Sequence, residues 1–132
     1  MPLRASRATI EELILHAREA LPRECCGLLV GAPDEIAWTT RARNLDPSPG
    51  RYLVDPEDHF EAQRRARSAG LSVIGAYHSH PGREAVPSAA DRAEADAPEF
   101  LYVIVSPEAG VEGVRAYRLS GGNFQAVELV LV

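Results

Sequence analysis

The sequence has few cysteines and no long apolar segment, and these two shortages exclude whole classes of protein. Cys25 and Cys26 are its only cysteines, and adjacent cysteines can pair only through a strained ring, so we expect no disulfide framework and a reducing compartment. No uncharged run approaches the roughly 20 apolar residues that a membrane-spanning helix needs. Charged residues also interrupt the apolar positions after Ile10, so we expect no signal peptide, no membrane partner and a cytoplasmic location.

Basic residues are outnumbered and scattered along the chain. There are 14 Lys and Arg against 19 Asp and Glu, which gives a formal net charge of −5. Because no basic stripe exists, nucleic acid is not expected as a partner. Hydrophobic residues make up 45% and charged residues 25%, a mixture typical of globular proteins. With 132 residues and no visible repeat, residues 1–132 are expected to form a single domain.

Three segments carry helix signals. Thr9 and Glu12 have the T-x-x-E form of a capping box at the start of the first. Asp55 and Pro56 begin the second as an N-cap followed by proline at the first helical position. The first helix has an apolar stripe made of Ile10, Leu13, Ile14, Ala17 and Leu21. The predicted helices cover residues 9–21, 55–70 and 88–96, and they are followed or closed by Pro22, Gly70 and Pro98.

Seven short apolar segments, bounded by glycine, proline or polar residues, are interpreted as strands. Residues 71–77 are apolar on both alternating faces, as expected for a central strand that is covered on each side. The predicted strands cover residues 26–30, 36–42, 51–54, 71–77, 100–105, 111–119 and 124–132. These elements predict a mixed α/β or α+β domain, built from one sheet and about three helices.

Two histidines follow the central strand. Side chains two residues apart in a strand point to the same face, so His78 and His80 can present two imidazoles to one ion. Pro81 then ends the strand, which places the pair at a rigid rim. The same pattern is also compatible with two histidines that are satisfied near a sheet edge and bind nothing.

A third candidate ligand lies a short distance downstream. Asp91 is in the first turn of the helix that Ser88 begins. Two neutral imidazoles and one carboxylate leave a fourth tetrahedral position open, which is typical of catalytic rather than structural zinc. The S-x-x-D spacing is equally a capping arrangement that needs no metal, and the two interpretations are compatible.

These residues resemble the JAMM metalloproteases, the metal-binding branch of the MPN domain family. That family has a glutamate upstream of the pattern H-x-H-P-x6-S-x2-D. Here Glu24 precedes His78, His80 and Pro81, and after six residues Ser88 and Asp91 follow at the family spacing. Residues 22–29, Pro-Arg-Glu-Cys-Cys-Gly-Leu-Leu, also resemble the N-terminal motif of the short bacterial members. The resemblance implies an MPN-like fold, related to cytidine deaminases, with one mixed curved β-sheet.

The resemblance also implies roles for individual residues. His78, His80 and Asp91 would bind one Zn²⁺ per chain, Glu24 would be the general base and Ser88 would donate to the developing oxyanion. Judged without the family, Glu24 is a polar residue before a strand that could simply meet water. Its distance from His78 along the chain is too long for the sequence to establish contact.

The implied reaction is hydrolysis of a peptide or isopeptide bond by a metallopeptidase. Family members commonly cut after the C-terminal Gly-Gly of ubiquitin-like proteins, and short bacterial members release cysteine or other adducts from sulfur-carrier proteins. This chain has no room for the large insertions of some deubiquitinating relatives, so a ubiquitin-like or sulfur-carrier protein is the expected partner. Residues 46–52 and 82–87 could border a groove for its extended tail.

Two other functions remain open from the sequence. The chain could be a non-catalytic scaffold of the MPN type, or a cysteine hydrolase that uses Cys25 or Cys26 with a histidine. We expect the two cysteines to be small buried core residues that face opposite sides of a strand. His16 and His59 are predicted to be solvated, and a homodimer is possible.

Overall fold

Eight strands form one sheet in the computed structural model, which describes residues 1–95, 97 and 99–132. The strands are β1 Leu3–Ala5, β2 Cys26–Ala32, β3 Glu35–Ala42, β4 Ser72–Ser79, β5 Leu101–Val105, β6 Val114–Ser120, β7 Asn123–Val127 and β8 Leu129–Leu131. The helices within the described residues are α1 Arg7–Ala20, α2 Pro56–Ser68 and α3 Ala89–Glu94, with a 3-10 helix at Pro107–Gly113.

The sheet is mixed and strongly curved. Its strand order is β7-β6-β5-β4-β2-β3-β1-β8. β4 and β5 are parallel, and β1 is parallel to both β3 and β8, whereas the other neighbours are antiparallel. β7 and β8 lie at opposite edges, although only Glu128 separates them along the chain. Because one residue spans so little distance, the two edges must curve towards each other. The predicted mixed curved sheet is confirmed.

Helix α1 covers one face of the sheet. Its stripe of Ile10, Leu13, Ile14 and Ala17 is buried, as predicted. The predicted capping box at Thr9 is wrong, because Ser6 is the N-cap and its hydroxyl accepts a hydrogen bond from the Thr9 amide at 3.1 Å. Leu21 lies beyond the end of the helix and is 44% exposed, so its place in the stripe is wrong too.

Helix α2 covers the opposite face. Asp55 caps it by accepting from the Glu57 amide at 2.9 Å, as the sequence predicted. Ala62 of this helix packs against Leu28 and Ala76 of the sheet. Tyr77, the next residue of the strand, packs in the core on the α1 side. The central strand β4 is therefore covered on both faces, which explains its uninterrupted apolar sequence.

Residues 51–54 do not form the predicted strand. Only an isolated bridge joins Val54 to Asn44. The Asn44 side chain accepts from the Leu53 amide at 2.9 Å and donates to the Arg51 carbonyl at 3.2 Å. Two backbone hydrogen bonds, from the Leu45 amide to the Leu53 carbonyl and from the Asp55 amide to the Arg43 carbonyl, join the same segments. The side chain of Asn44 takes part of the remaining hydrogen bonding, and an irregular loop results.

The predictions for the C-terminal half need three corrections. Residues 111–113, expected at the start of a strand, belong to the 3-10 helix before β6. Residues 124–132, expected as one strand, are divided between β7 and β8 at opposite edges. The predicted helix 88–96 ends at Glu94 in the structure, and Asp96 and its stop Pro98 lie outside the described residues.

The sequence analysis did not predict β1, whose three residues are too few to show a period. Among the described residues, no helix is both long and apolar enough to cross a membrane.

Candidate metal and catalytic site

Strand β4 carries two histidines to the rim of the sheet. Ala76, His78 and His80 occupy every second position and therefore point to the same face of the sheet. His78 and His80 are each 1% exposed. His80 lies just past the strand, yet its amide donates to the Val105 carbonyl at 2.8 Å. This bond continues the β4–β5 pairing by one residue, so the backbone of His80 is held by the sheet although His80 lies outside the strand.

The start of α3 brings Asp91 to the same place. Ser88 is the N-cap, and its hydroxyl accepts from the Asp91 amide at 3.1 Å. In return, Asp91 Oδ2 accepts from the Ser88 amide at 2.9 Å. The capping box is therefore real, and it aims the carboxylate at the two imidazoles. The hydrogen bonds that cap α3 thus also direct Asp91 towards His78 and His80.

The three side chains, which we call the triad, place three donor atoms at the corners of a nearly regular triangle. His78 Nε2 and His80 Nε2 are 3.1 Å apart, and each lies 3.1 Å from Asp91 Oδ2. Zinc–nitrogen bonds of 2.0–2.1 Å at tetrahedral angles separate neighbouring donors by about 3.3 Å. The spacing of the triad matches one face of such a tetrahedron.

Hydrogen bonding around His80 shows which atoms carry lone pairs. Its Nδ1 lies 2.9 Å from the Glu84 carbonyl, which can only accept, so Nδ1 carries the proton. In the neutral ring, Nε2 then presents a lone pair towards Asp91 Oδ2, which is an acceptor as well. Two acceptors at 3.1 Å require a proton or a cation between them. The donor set therefore fits a divalent metal ion.

The electrostatics around His78 and Asp91 favour the protonation states that bind a metal. Burial lowers the pKa of His78 from its ordinary value, against the opposing effect of Asp91. Burial works against the charged form of Asp91, but its interaction with His78 and the hydrogen bond from the Ser88 amide outweigh burial and hold its pKa well below the usual range. Neutral imidazole and ionised carboxylate are the forms that ligate metals.

Sheet register brings Glu24 to the triad from far along the chain. Cys26 pairs with His78, and one step further the Ser79 amide donates to the Cys25 carbonyl at 3.1 Å. Continuing this antiparallel register places Glu24 opposite His80. Cross-strand partners share a face of the sheet, so Glu24 lies on the face of the triad.

The Glu24 carboxylate is enclosed, and Arg83 is its one ion-pair partner among the described residues. The residue is 5% exposed. Oε2 accepts from Arg83 Nη2 at 2.7 Å, whereas Oε1 is buried and has no hydrogen-bond partner within the described part of the chain. Burial raises the pKa of Glu24, and the nearby His80 and Arg83 partly oppose this rise. A buried carboxylate with one open oxygen is suited to accept a proton.

The sequence analysis missed two residues that shape the site. Tyr52 stacks on the His78 ring, with centroids 4.2 Å apart and an interplanar angle of 17°. Arg83 holds Glu24, and it is the only basic residue between Pro81 and Ser88. Two features of the sequence could have indicated them. Tyr52 is an aromatic residue in a loop that contains two prolines, and Arg83 lies inside the motif itself.

The two thiols lie on opposite sides of the sheet, as expected. Cys25 packs in the core with α1, whereas Cys26 is paired with His78 on the side of the triad. Both are buried and free. Burial raises the pKa of Cys25 to about 11 and that of Cys26 to about 12. At neutral pH both are thiols, and neither is an activated nucleophile.

The prediction that His16 is solvated is wrong. Its ring is half-buried, and Nδ1 lies 2.7 Å from the Tyr77 hydroxyl. Burial lowers the pKa of His16 from its ordinary value. His16 also lines a cleft of about 470 Å³ beside Glu24, together with Arg23, Asn44 and Leu45. The triad does not line this cleft, so the cleft approaches the site from the Glu24 side.

The model of one protein family, the prokaryotic homologues of the JAB domain, matches residues 6–120. Three relatives are named for proteolytic activities. A desampylase of Haloferax volcanii is 33% identical, covering 92% of this chain and 90% of that protein. A probable TtuB-protein conjugate cleaving protease of Thermus thermophilus is 37% identical, covering 96% and 80%. A CysO-cysteine peptidase of Mycobacterium tuberculosis is 31% identical, covering 86% and 80%.

Solved structures agree with the fold. The solution structure of protein DSY2949 from Desulfitobacterium hafniense has a TM-score of 0.89 and 31% identity, covering 98% of this chain and 92% of that one. A structure described as a JAMM metalloprotease-like zinc site in the proteasome and signalosome has a TM-score of 0.59 and 20% identity, covering 98% and 99%, and supports the fold alone. The chain belongs to the prokaryotic JAB family, the JAMM-type branch of the MPN domain, and is a peptidase of that type.

Proposed function

We propose that this protein is a zinc-dependent peptidase that hydrolyses a peptide or isopeptide bond at the C-terminal Gly-Gly of a ubiquitin-like or sulfur-carrier protein. Cysteine or another adduct would be released from the carrier. The observation that carries this proposal is the triangle of donor atoms from His78, His80 and Asp91, all 3.1 Å apart, beside the buried Glu24. We further propose that residues 1–132 act as one domain.

The triad would hold one Zn²⁺ through His78 Nε2, His80 Nε2 and Asp91 Oδ2. When bound, this ion would lower the pKa of a water molecule to about 7 and polarise a substrate carbonyl. Glu24 takes the proton of the attacking water on its open oxygen Oε1, and it later returns this proton to the departing amine. Its raised pKa brings proton uptake closer to neutral pH.

Ser88 would donate to the oxygen on which negative charge develops. Its hydroxyl oxygen accepts from the Asp91 amide at 3.1 Å, so this bond leaves the hydroxyl proton available. The cap also fixes the direction of the side chain before substrate arrives. A fixed donor costs no reorganisation during the reaction, which is the usual source of oxyanion stabilisation.

The names of the relatives support a carrier protein as substrate. They describe activities on TtuB–protein conjugates and CysO-cysteine, and one is a desampylase. The cleft beside Glu24 and the loops 46–52 and 82–87 would receive the extended tail and the departing group. An extended tail with two glycines could lie close to the walls of this cleft, because it presents backbone and no side chains.

The geometry disfavours the two alternative functions. A cysteine hydrolase needs an accessible thiolate, but both thiols are buried and have raised pKa values. A scaffold needs no convergent set of metal ligands, yet all three are present. The cytoplasmic location and the homodimer stay predictions.

The proposal is tested by incubating zinc-loaded protein with ubiquitin-like carriers that end in Gly-Gly-Cys or in a Gly-Gly-lysine isopeptide. Intact mass spectrometry should show a carrier that ends in Gly-Gly. The cleavage should stop with a chelator and return with added Zn²⁺. A matched carrier that has Ala-Ala in place of Gly-Gly tests whether the site selects glycine.

Failure to bind stoichiometric zinc would refute the metal site and favour the scaffold. Cleavage that continues in excess chelator would refute the mechanism. Stoichiometric zinc without cleavage of any Gly-Gly carrier would refute the substrate class.

A further inference from the structure

Arg83 contacts the proposed base from within the six positions that the family pattern leaves unspecified. Its Nη2 lies 2.7 Å from Glu24 Oε2, although the two residues are 59 positions apart. The side chain of Glu24 is 2% exposed and that of Arg83 is 42% exposed. The arginine therefore reaches inward from the surface and meets a carboxylate that water hardly touches.

The backbone around Arg83 is fastened from several sides. Ser106, which is buried, donates its hydroxyl to the Arg83 carbonyl at 2.8 Å. The Arg83 amide donates to the His80 carbonyl at 3.2 Å. Tyr117 donates to the Ala85 carbonyl at 2.6 Å. These anchors come from β6, from the end of β4 and from the residue after β5, so the sheet itself fixes the place from which the guanidinium starts.

This arrangement gives the two oxygens of Glu24 different tasks. Oε2 is occupied by the guanidinium, whereas Oε1 has no hydrogen-bond partner among the described residues. A charged hydrogen bond of this kind fixes direction as well as distance. Burial of an unpaired carboxylate is costly, and the arginine reduces that cost while Oε1 stays open.

We propose that Arg83 is a positioning residue, which holds Glu24 by Oε2 so that Oε1 is the oxygen that accepts the proton. The loop anchored at Ser106 delivers the guanidinium, and Arg83 itself does not touch the substrate. This inference rests on the proposed function, because it assigns a supporting residue to the same base.

The test compares Arg83→Ala, Arg83→Lys, Glu24→Gln and the double variant of Arg83→Ala with Glu24→Gln. In Arg83→Ala, kcat should fall by roughly 10²-fold, the loss typical of a misplaced catalytic group, with KM changed less than about twofold. Arg83→Lys should regain part of kcat, since lysine supplies the charge without the planar fork. In the double variant, turnover should be no lower than in Glu24→Gln alone, because the positioned group is already gone.

Matched controls separate this effect from folding. Arg64→Ala removes an exposed arginine whose ion pair is with Glu61 on α2 and not with a residue of the site, and it should keep normal kcat. Zinc content should be unchanged in Arg83→Ala, whereas its melting temperature should fall, because the buried Glu24 loses its charged partner. Rates are therefore compared at a temperature at which circular dichroism shows both proteins folded. If that variant does not fold, Arg83→Gln, which keeps much of the side chain, takes its place in every comparison.

Three results would overturn the inference. The first is a normal kcat in Arg83→Ala, and the second is a fall in kcat, when Arg83→Ala is added to Glu24→Gln, as large as the fall that Arg83→Ala causes in the wild type. The third is a rise in KM that is confined to substrates whose leaving group bears a carboxylate. The last would mean that Arg83 binds substrate directly. Failure of the proposed function looks different, because the wild-type protein itself would then bind no stoichiometric zinc, cleave in excess chelator or cleave no Gly-Gly carrier.

Discussion

The triad and the base are assembled in different ways, although they form one site. His78, His80 and Asp91 lie within a short stretch of sequence, and strand alternation and a helix cap bring them together. Glu24 arrives from another strand, and its only ion-pair partner among the described residues is Arg83. The triad is thus assembled by a local sequence motif, whereas the pairing register of β2 and β4 places Glu24. Binding of the metal and turnover should therefore be separable by mutation.

The two carboxylates also differ in electrostatics. Both are buried, and burial by itself raises the pKa of either. Asp91 interacts with His78 and accepts a hydrogen bond from the Ser88 amide, and these partners reverse the effect of burial and lower its pKa. Glu24 has one guanidinium, which does not suffice, and its pKa stays raised. Asp91 is suited to remain ionised as a ligand, whereas Glu24 is suited to gain and lose a proton.

The largest expected effect comes from breaking the triad. His78→Ala removes one of three donor atoms, so zinc content should fall well below one per chain and cleavage should become undetectable. His59→Ala on α2 is the matched control and should retain metal and activity. Metal analysis of the purified variants checks both. Full zinc content in His78→Ala would remove His78 from the ligand set.

Removal of the proposed base should have the opposite pattern to removal of a ligand, because turnover should be lost while zinc stays bound. Glu24→Gln keeps the shape of the side chain but cannot take up a proton, so turnover should fall by about 10²–10⁴. Zinc should remain stoichiometric, because Glu24 is not a ligand. Rates measured beside metal analysis check this, and normal turnover in Glu24→Gln would exclude Glu24 from the mechanism.

Ser88 lies at the boundary between the two regions, so its removal should have an intermediate effect. Ser88→Ala loses the cap of α3, at a cost of about 1 kcal/mol in the free energy of unfolding. It also loses the oxyanion donor, and kcat should fall by about 10²–10³. Ser88→Thr restores both the cap and the hydroxyl. Denaturant titration and rate measurements check the two losses, and loss of stability alone would leave Ser88 with a capping role only.

The smallest effect is expected from the cysteines, which lie next to the base but outside the reaction. Changing both to serine should leave kcat within about twofold, since neither thiol is ionised at neutral pH. In the native protein, iodoacetamide should label Cys25 only slowly, with a rate that rises as the pH approaches a pKa of about 11. In denaturant, where thiol pKa values are about 8.5, labelling should be fast. Rapid native labelling that abolishes cleavage would revive the cysteine hydrolase.

The sequence predicted the site better than it predicted the edges of the fold. The spacing of His78, His80, Ser88 and Asp91 is local, so strand alternation and the cap could be read directly from it. The strand expected at residues 51–54 failed because the side chain of Asn44 holds that segment as a loop. Residues 124–132 look like one apolar strand, and only the closing curve of the sheet divides them at Glu128.

By itself, the sequence determined the family, the mixed sheet with about three helices, and the motif that carries the proposed metal ligands. Only the tertiary structure decided how Glu24 meets this motif, which oxygen of Glu24 is open, and that Arg83 and Tyr52 complete the site. The physical reason is range. Local periodicity and capping act over a few residues, whereas Glu24 and His80 are brought together by hydrogen bonds between β2 and β4, and no nearby pattern in the chain records that pairing.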